Sequence, residues 1–283
     1  MANISIVTDS TADLPPHLYS DYGITVVPLL VHFGDEVYRD GVDLSSEEFY
    51  AKLTSSSVLP RTSQPSPRDF QVVYEDLLSK SDGVVSIHLS SRLSGTYQSA
   101  AIAASMVKGG PVRVIDGRLA SAANGLVVLE AARMAREGAS MDDIVARAQD
   151  LVGKVRVFFT VDTLEYLQKN GRIGRAAAFL GTVLSIRPLL WLQDGEVAPY
   201  EKVRGSRQKI LARLVAVVKE HAPAGKRLRA AVIHAVSPDE AAALKQVMER
   251  DFPCEEVLTA TVGPVIGCHA GPGTMAIAFH PVD

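Results

Sequence analysis

Apolar and polar positions along the first half of the chain alternate in blocks of two kinds. Short continuous apolar runs over 3–8, 83–89 and 112–115 read as strands buried on both faces. Between them lie longer segments: an amphipathic stretch over 69–78, an alanine-rich helix over 96–107, and paired helices over 122–136 and 141–152. Ser45-Ser46-Glu47-Glu48 opens another helix with cap and dipole signals, and Pro15-Pro16 opens a short one. A further apolar run occupies 24–31. Strands separated by helices of this length predict βαβ units and a largely parallel sheet covered on both faces.

The second half has a different rhythm. A strand over 155–161 is followed by two short helices that flank Asn170-Gly171-Arg172-Ile173-Gly174. Residues 186–192, the turn Gln193-Asp194-Gly195-Glu196 and residues 197–204 read as a β-hairpin, because Asp-Gly is a strong turn signal. Helices over 206–221 and 238–250 and strands over 229–235, 257–262 and 275–279 complete a mixed sheet. At 283 residues the chain is long for one core. The change of rhythm near Gly153 divides it into an N-terminal α/β domain, 1–153, and a C-terminal α/β domain, 154–283.

Composition narrows the class. Hydrophobic residues make up 47% and charged residues 22%, the balance of a soluble globular protein. A net charge of −3 without a Lys/Arg block gives no electrostatic case for nucleic acid. No stretch approaches 18 uninterrupted apolar residues, and Met1-Ala2-Asn3-Ile4-Ser5 lacks the opening of a signal peptide. The expectation is therefore no membrane span and, at most, transient membrane contact. Cys254 and Cys268 suit free thiols in a reducing compartment, so the expected location is the cytoplasm.

Candidate chemistry gathers in three polar turns. The first is Arg61-Thr62-Ser63-Gln64-Pro65-Ser66-Pro67. The second, Leu89-Ser90-Ser91-Arg92-Leu93-Ser94-Gly95-Thr96, leaves a strand and enters a helix. Such a junction offers backbone N–H groups and the positive end of a helix dipole to an anion; an ordinary Ser N-cap has the same signature. The third is Gly263-Pro264-Val265-Ile266-Gly267-Cys268-His269-Ala270-Gly271-Pro272-Gly273-Thr274, which neither a helix nor a strand pattern explains. Its glycines and prolines force a tight path that presents His269, either to a charge or simply to solvent. Phosphate-loop, dinucleotide and metal-spacing motifs are lacking, so no cofactor or metal is expected; Asp9 and Asp13 read as capping residues.

These segments, taken in order, carry a resemblance. The chain resembles the DegV family, whose characterised members are the fatty-acid-binding FakB proteins of a bacterial fatty acid kinase. The matching stretches include Ile6-Val7-Thr8-Asp9-Ser10-Thr11-Ala12-Asp13-Leu14-Pro15, Thr62-Ser63-Gln64-Pro65-Ser66-Pro67 and Leu93-Ser94-Gly95-Thr96. They continue through Lys169-Asn170-Gly171-Arg172-Ile173, Leu184-Ser185-Ile186-Arg187-Pro188, Glu201-Lys202-Val203-Arg204-Gly205-Ser206 and the His269 turn. The resemblance implies a two-domain DegV-like α/β fold with a long-chain fatty acid between the domains. It implies that Thr62 and Ser94 bind the carboxylate with His269 and the Gly95 N–H, that Arg172 stands beside it, and that Arg204 faces a partner. Phe179, Leu180, Val183, Ile186 and Ile266 would line the tail pocket. The protein would be a carrier rather than an enzyme, presenting the carboxylate to an acyl kinase subunit that supplies ATP.

Three positions depart from the family pattern: Gly117 stands where a Ser or Thr is usual, Ala123 where a Gly is usual, and Gly174 where a Ser is usual. They bear on acyl-chain preference more than on activity class. Two other classes stay open at this stage. One is a stand-alone hydrolase or transferase using His269, with Cys268 as nucleophile; neighbouring side chains diverge, which disfavours that dyad. The other is a regulatory module that senses free lipid.

Overall fold

The structure, a computed structural model, describes residues 2–181 and 186–282. In chain order the first half comprises β1 (Ile4–Asp9), α1 (Pro16–Asp21), β2 (Thr25–Val27), β3 (Leu30–Phe33) and β4 (Glu36–Arg39). It continues with α2 (Ser46–Ser55), β5 (Arg61–Ser63), α3 (Pro67–Leu78) and β6 (Gly83–His88). Then come α4 (Thr96–Met106), β7 (Val112–Asp116), α5 (Ala122–Arg136) and α6 (Met141–Lys154). Four of these strands form a wholly parallel sheet in the order β2-β1-β6-β7. All six residues of β6 are buried, as a strand covered on both faces requires. Phe70, Tyr74, Ala100 and Ala103 of α3 and α4 cover one face, and α5 and α6 cover the other. Capping boxes Ser45/Glu48 and Ser66/Asp69 start α2 and α3, satisfying first-turn amides.

The second half contributes β8 (Arg156–Thr160), α7 (Glu165–Lys169), a 3₁₀ turn (Gly174–Phe179), β9 (Ile186–Gln193) and β10 (Glu196–Arg204). After α8 (Arg207–His221), β11 (Leu228–His234), α9 (Pro238–Asp251) and β12 (Cys254–Thr261) come α10 (Pro264–Ala270) and β13 (Met275–Pro281). The sheet is mixed, in the order β10-β9-β8-β13-β11-β12. Asp194 and Gly195 both hold positive φ (54° and 85°) in the β9–β10 hairpin, matching the right-handed twist of the paired strands. Position 153 falls in the last turn of α6; the parallel-sheet strands all precede it and the mixed-sheet strands all follow.

Three expectations need correction. The run over 24–31 is split by Pro28 into β2 and β3, which belong to different sheets. Proline cannot donate to a ladder, so the chain leaves one sheet there and enters another. That other sheet, β4-β3-β5, is antiparallel, and β5 is the hydroxyl-rich stretch read as a loop. The His269 turn is also not irregular. Pro264 occupies the first helical position of α10, and Gly271, at φ +75°, ends it. Proline at the start and glycine at the end define a helix too short to show a period.

Candidate functional site

α10 and β5 bring residues from opposite ends of the chain together. Thr62 pairs with Val31 in the small sheet, and its Oγ1 lies 2.9 Å from His269 Nε2. Next to it Ser63 Oγ lies 2.8 Å from His32 Nε2. Ser94 sits at the entrance to α4, where its Oγ accepts from the Thr96 N–H (3.3 Å) and lies 2.9 Å from Thr96 Oγ1. Arg172 is anchored by donating from Nε to Leu93 O (3.0 Å) and from Nη1 to Asn170 O (3.0 Å). Asn170 in turn donates to Cys268 O (2.8 Å), tying the Arg172 loop to α10.

Thr62, Ser63, Gln64, Ser94, Arg172 and His269 line one cavity, whose empty space is about 940 Å³ counting its open mouth. Burial, reinforced by the Arg172 charge, holds the His269 imidazole down to about 4, so it is neutral near pH 7. Its Nδ1 is buried and has no protein partner among the described residues. A neutral imidazole, hydroxyls and a guanidinium form a pole suited to a carboxylate.

The rest of the lining is apolar. Phe159, Ala276 and Ile233 stand side by side in register across β8, β13 and β11, all facing the cavity. A small residue between two large ones leaves a slot. Leu29, Leu89, Val262 and Val265 form other walls. The alternation Met275-Ala276-Ile277-Ala278-Phe279 sends the bulky residues to the opposite face, into the core that includes α8.

Of the residues expected at the site, Thr62, Ser94, Arg172, His269 and Ile266 line this cavity. Gly95 is not among its lining residues; it stands at the α4 N-cap, where a Cβ would come within 2.6 Å of Gln64 Nε2. Arg204 is exposed at the end of β10 and does not line the cavity. Phe179 and Leu180 do not line it either. Phe179 packs against the neighbouring cluster around Val161 and Ala176 with Lys202 over its ring, and Leu180 is 37% exposed. The 3₁₀ turn that carries Phe179 directs this stretch outward. Val183 and the side chain of Ile186 lie outside the described residues. Cys268 is fully buried in the core and burial pushes its thiol up, so it is not a thiolate nucleophile paired with His269.

Sequence reasoning missed Ser63, Gln64, Ser121 and Thr274 as lining residues; Ser63, Gln64 and Thr274 lie in the turns singled out, whereas Ser121 precedes α5, away from all three. The strand row was signalled by the alanines at alternate positions 276 and 278.

Residues 3–282 match the family described as "Uncharacterised protein, DegV family". Protein DegV of Bacillus subtilis is 38% identical over 278 residues, 98% of this chain and 99% of its own. A DegV family protein from Thermus thermophilus, described as fatty acid binding, superposes with a TM-score of 0.94 at 39% identity, covering 100% of both chains. The crystal structure of DegV from Bacillus subtilis, described as a fatty acid binding protein, gives 0.91 at 37% identity over 100% of both chains. A stearic acid-binding protein from Eubacterium ventriosum gives 0.88 at 26% identity, covering 99% of this chain and 98% of its own.

Proposed function

The chain belongs to the DegV family, and on that premise we propose that it binds a long-chain fatty acid in the cavity between its two large sheets. It holds the carboxylate at the Thr62, Ser94 and His269 pole and presents it to a partner acyl kinase, which phosphorylates it to acyl phosphate. The observation that carries the binding step is a largely apolar slot with the 2.9 Å Thr62–His269 contact in its lining. The tail supplies most of the affinity. At about 0.8 kcal/mol per buried CH₂, a C16–C18 chain offers on the order of 10 kcal/mol before ordering costs. Hydrogen bonds to the charged head contribute about 1.5–3 kcal/mol each and fix its direction. Solved relatives described as fatty acid binding support this half of the reading.

The presentation step rests on chemistry. A phosphoryl acceptor needs its carboxylate oriented, and on this reading the neutral His269 imidazole and the Arg172 guanidinium, which line the same cavity, hold it in position by hydrogen bonding and charge. Arg204, exposed at the end of β10, faces the partner. The domain division at 153/154 and a cytoplasmic location belong to the same proposal.

Native mass spectrometry of protein purified from a bacterial host tests the binding step, with a co-purified long-chain fatty acid as the expected result. A folded sample that is empty and takes up neither palmitate nor oleate overturns it. The presentation step is tested by His269→Ala and Arg204→Ala with the kinase. Both variants are expected to stay lipid-loaded through the tail, His269→Ala with weaker palmitate affinity, and to lose acyl-phosphate formation by about 10²–10³-fold.

A further inference from the structure

The mechanism uses only the C-terminal end of α10, yet the other end is held by an unusual arrangement. Asp13 Oδ1 accepts the Gly263 N–H (3.0 Å), and its Oδ2 accepts the Ser121 hydroxyl (2.5 Å). Asp40 accepts the Val265 N–H and, on Oδ2, the Ser10 hydroxyl (2.7 Å). Two buried carboxyl groups thus grip the first turn of a seven-residue helix. The approach at Gly263 is close: a Cβ there would come within 2.7 Å of Asp13 Oδ1, so the contact would have to shift.

Both ends of the Asp13–Ser121 contact are strained. Asp13 sits at φ 47°, ψ 31°, and Ser121 at φ 53°, ψ −156°, a region that glycine occupies far more readily. Each such conformation costs about 1–3 kcal/mol and persists only where the surroundings enforce it. Ser121 lines the cavity itself, while Val265, Ile266, His269 and Ala270 line it from α10. At 1.5 Å rise per residue, Gly263 lies roughly 9 Å along the axis from His269. One continuous set of contacts therefore runs from the Ser121 wall through Asp13 and α10 to the Thr62–His269 pole.

We propose that Asp13 is a positioning residue for the ligand head group: by fixing the start of α10, it sets where His269 meets Thr62 and the carboxylate. This rests on the fatty-acid reading above. The role differs from ordinary capping because α10 touches the ligand space along its length, so a shift at Gly263 moves His269 against β5. A cap that served stability alone would affect every ligand equally.

The test compares palmitate with hexadecanol, which has the same tail length and no carboxylate, for wild type and Asp13→Asn. Asparagine keeps the size but turns an NH₂ group toward one of the two donors. Palmitate affinity is expected to fall about tenfold, the loss of one weak hydrogen bond to a charged group, with hexadecanol within about twofold. The His269 ring ¹⁵N shifts in the palmitate complex are expected to change in parallel. Equal losses for both ligands, or no loss for either, in a folded variant overturn the proposal. Should Asp13→Asn not fold, Gly263→Ala wedges the same contact without altering charge and must show the same contrast. Wild-type protein that binds neither ligand would instead bring down the fatty-acid reading, and this inference with it.

Discussion

At the residue scale the site depends on an imidazole kept neutral. The unfolded chain's His269 titrates near 6.5, and burial beside Arg172 holds the folded group at about 4. Between those values the unfolded state binds more protons, so stability falls as pH drops from 6.5 toward 4 and is flat below. Asp40 works in the opposite sense: burial raises it to about 7, so its contribution favours folding as pH falls from 7 toward 3.8. A difference experiment separates the two. Unfolding free energies of wild type and His269→Gln, measured from pH 7 to 4, are expected to diverge, with wild type losing on the order of 3 kcal/mol relative to the variant. A flat difference would mean that His269 is not depressed. The hydroxyls are tested separately. Thr62→Ala/Ser94→Ala is expected to weaken palmitate binding by about 10–10³-fold while the tail keeps it measurable. It should also lower stability by about 0.5–1.5 kcal/mol, because Ser94 Oγ accepts the Thr96 N–H. Unchanged affinity in a direct titration would place the anion site elsewhere.

At the element scale the most consequential pieces are the shortest ones. Strands and helices with a full period, such as β6 or α5, were legible in the sequence to within a residue or two. β5 and α10 were not. Three residues of β5 become a strand only through pairing with β3, and one or two turns of α10 carry too few positions to show a helical stripe. The resemblance of motifs marked Thr62 and His269 without revealing that a helix and an antiparallel strand bring them together. Phe179 and Leu180 were misplaced for a related reason: apolar residues after a loop signal burial, but not which cavity they face. The end of α10 supplies an element-scale prediction. Gly271 holds φ +75°, and a Cβ there would come within 2.3 Å of Tyr166 Cδ2. Gly271→Ala is therefore expected to cost at least about 1–3 kcal/mol in urea unfolding, and to weaken palmitate binding by disturbing His269 two residues away. Wild-type stability in this variant would show that Tyr166 yields and that the left-handed glycine is not required.

At the scale of the whole molecule, the cavity results from two sheets that close unequally upon α5. Toward one end of β11 and β13, Ala231 and Ala278 are paired and fully buried in the core cluster that includes α5, so the layers approach closely. One step along the same strands and on the same face, Ile233, Ala276 and Phe159 belong to or pack against the same cluster but also line the cavity. The two alanines of β13 are thus chemically identical and two positions apart, but only Ala276 lines the cavity. They should respond oppositely to enlargement. Ala276→Phe puts a ring into space meant for the tail, so the protein is expected to fold with little loss of stability. Losing the burial of about four methylenes, roughly 3 kcal/mol, would weaken oleate binding by on the order of 100-fold. Ala278→Phe has no space to enter and is expected to destabilise by about 1–3 kcal/mol or more through overpacking. Thermal unfolding with and without oleate reads both effects at once. At a ligand concentration about 100 times its Kd, wild type gains about 2.7 kcal/mol, whereas Ala276→Phe gains almost nothing at the same concentration. If Ala276→Phe kept the full ligand-induced shift, the tail would not run along the Phe159–Ala276–Ile233 row, and the slot between the sheets would not be the binding site.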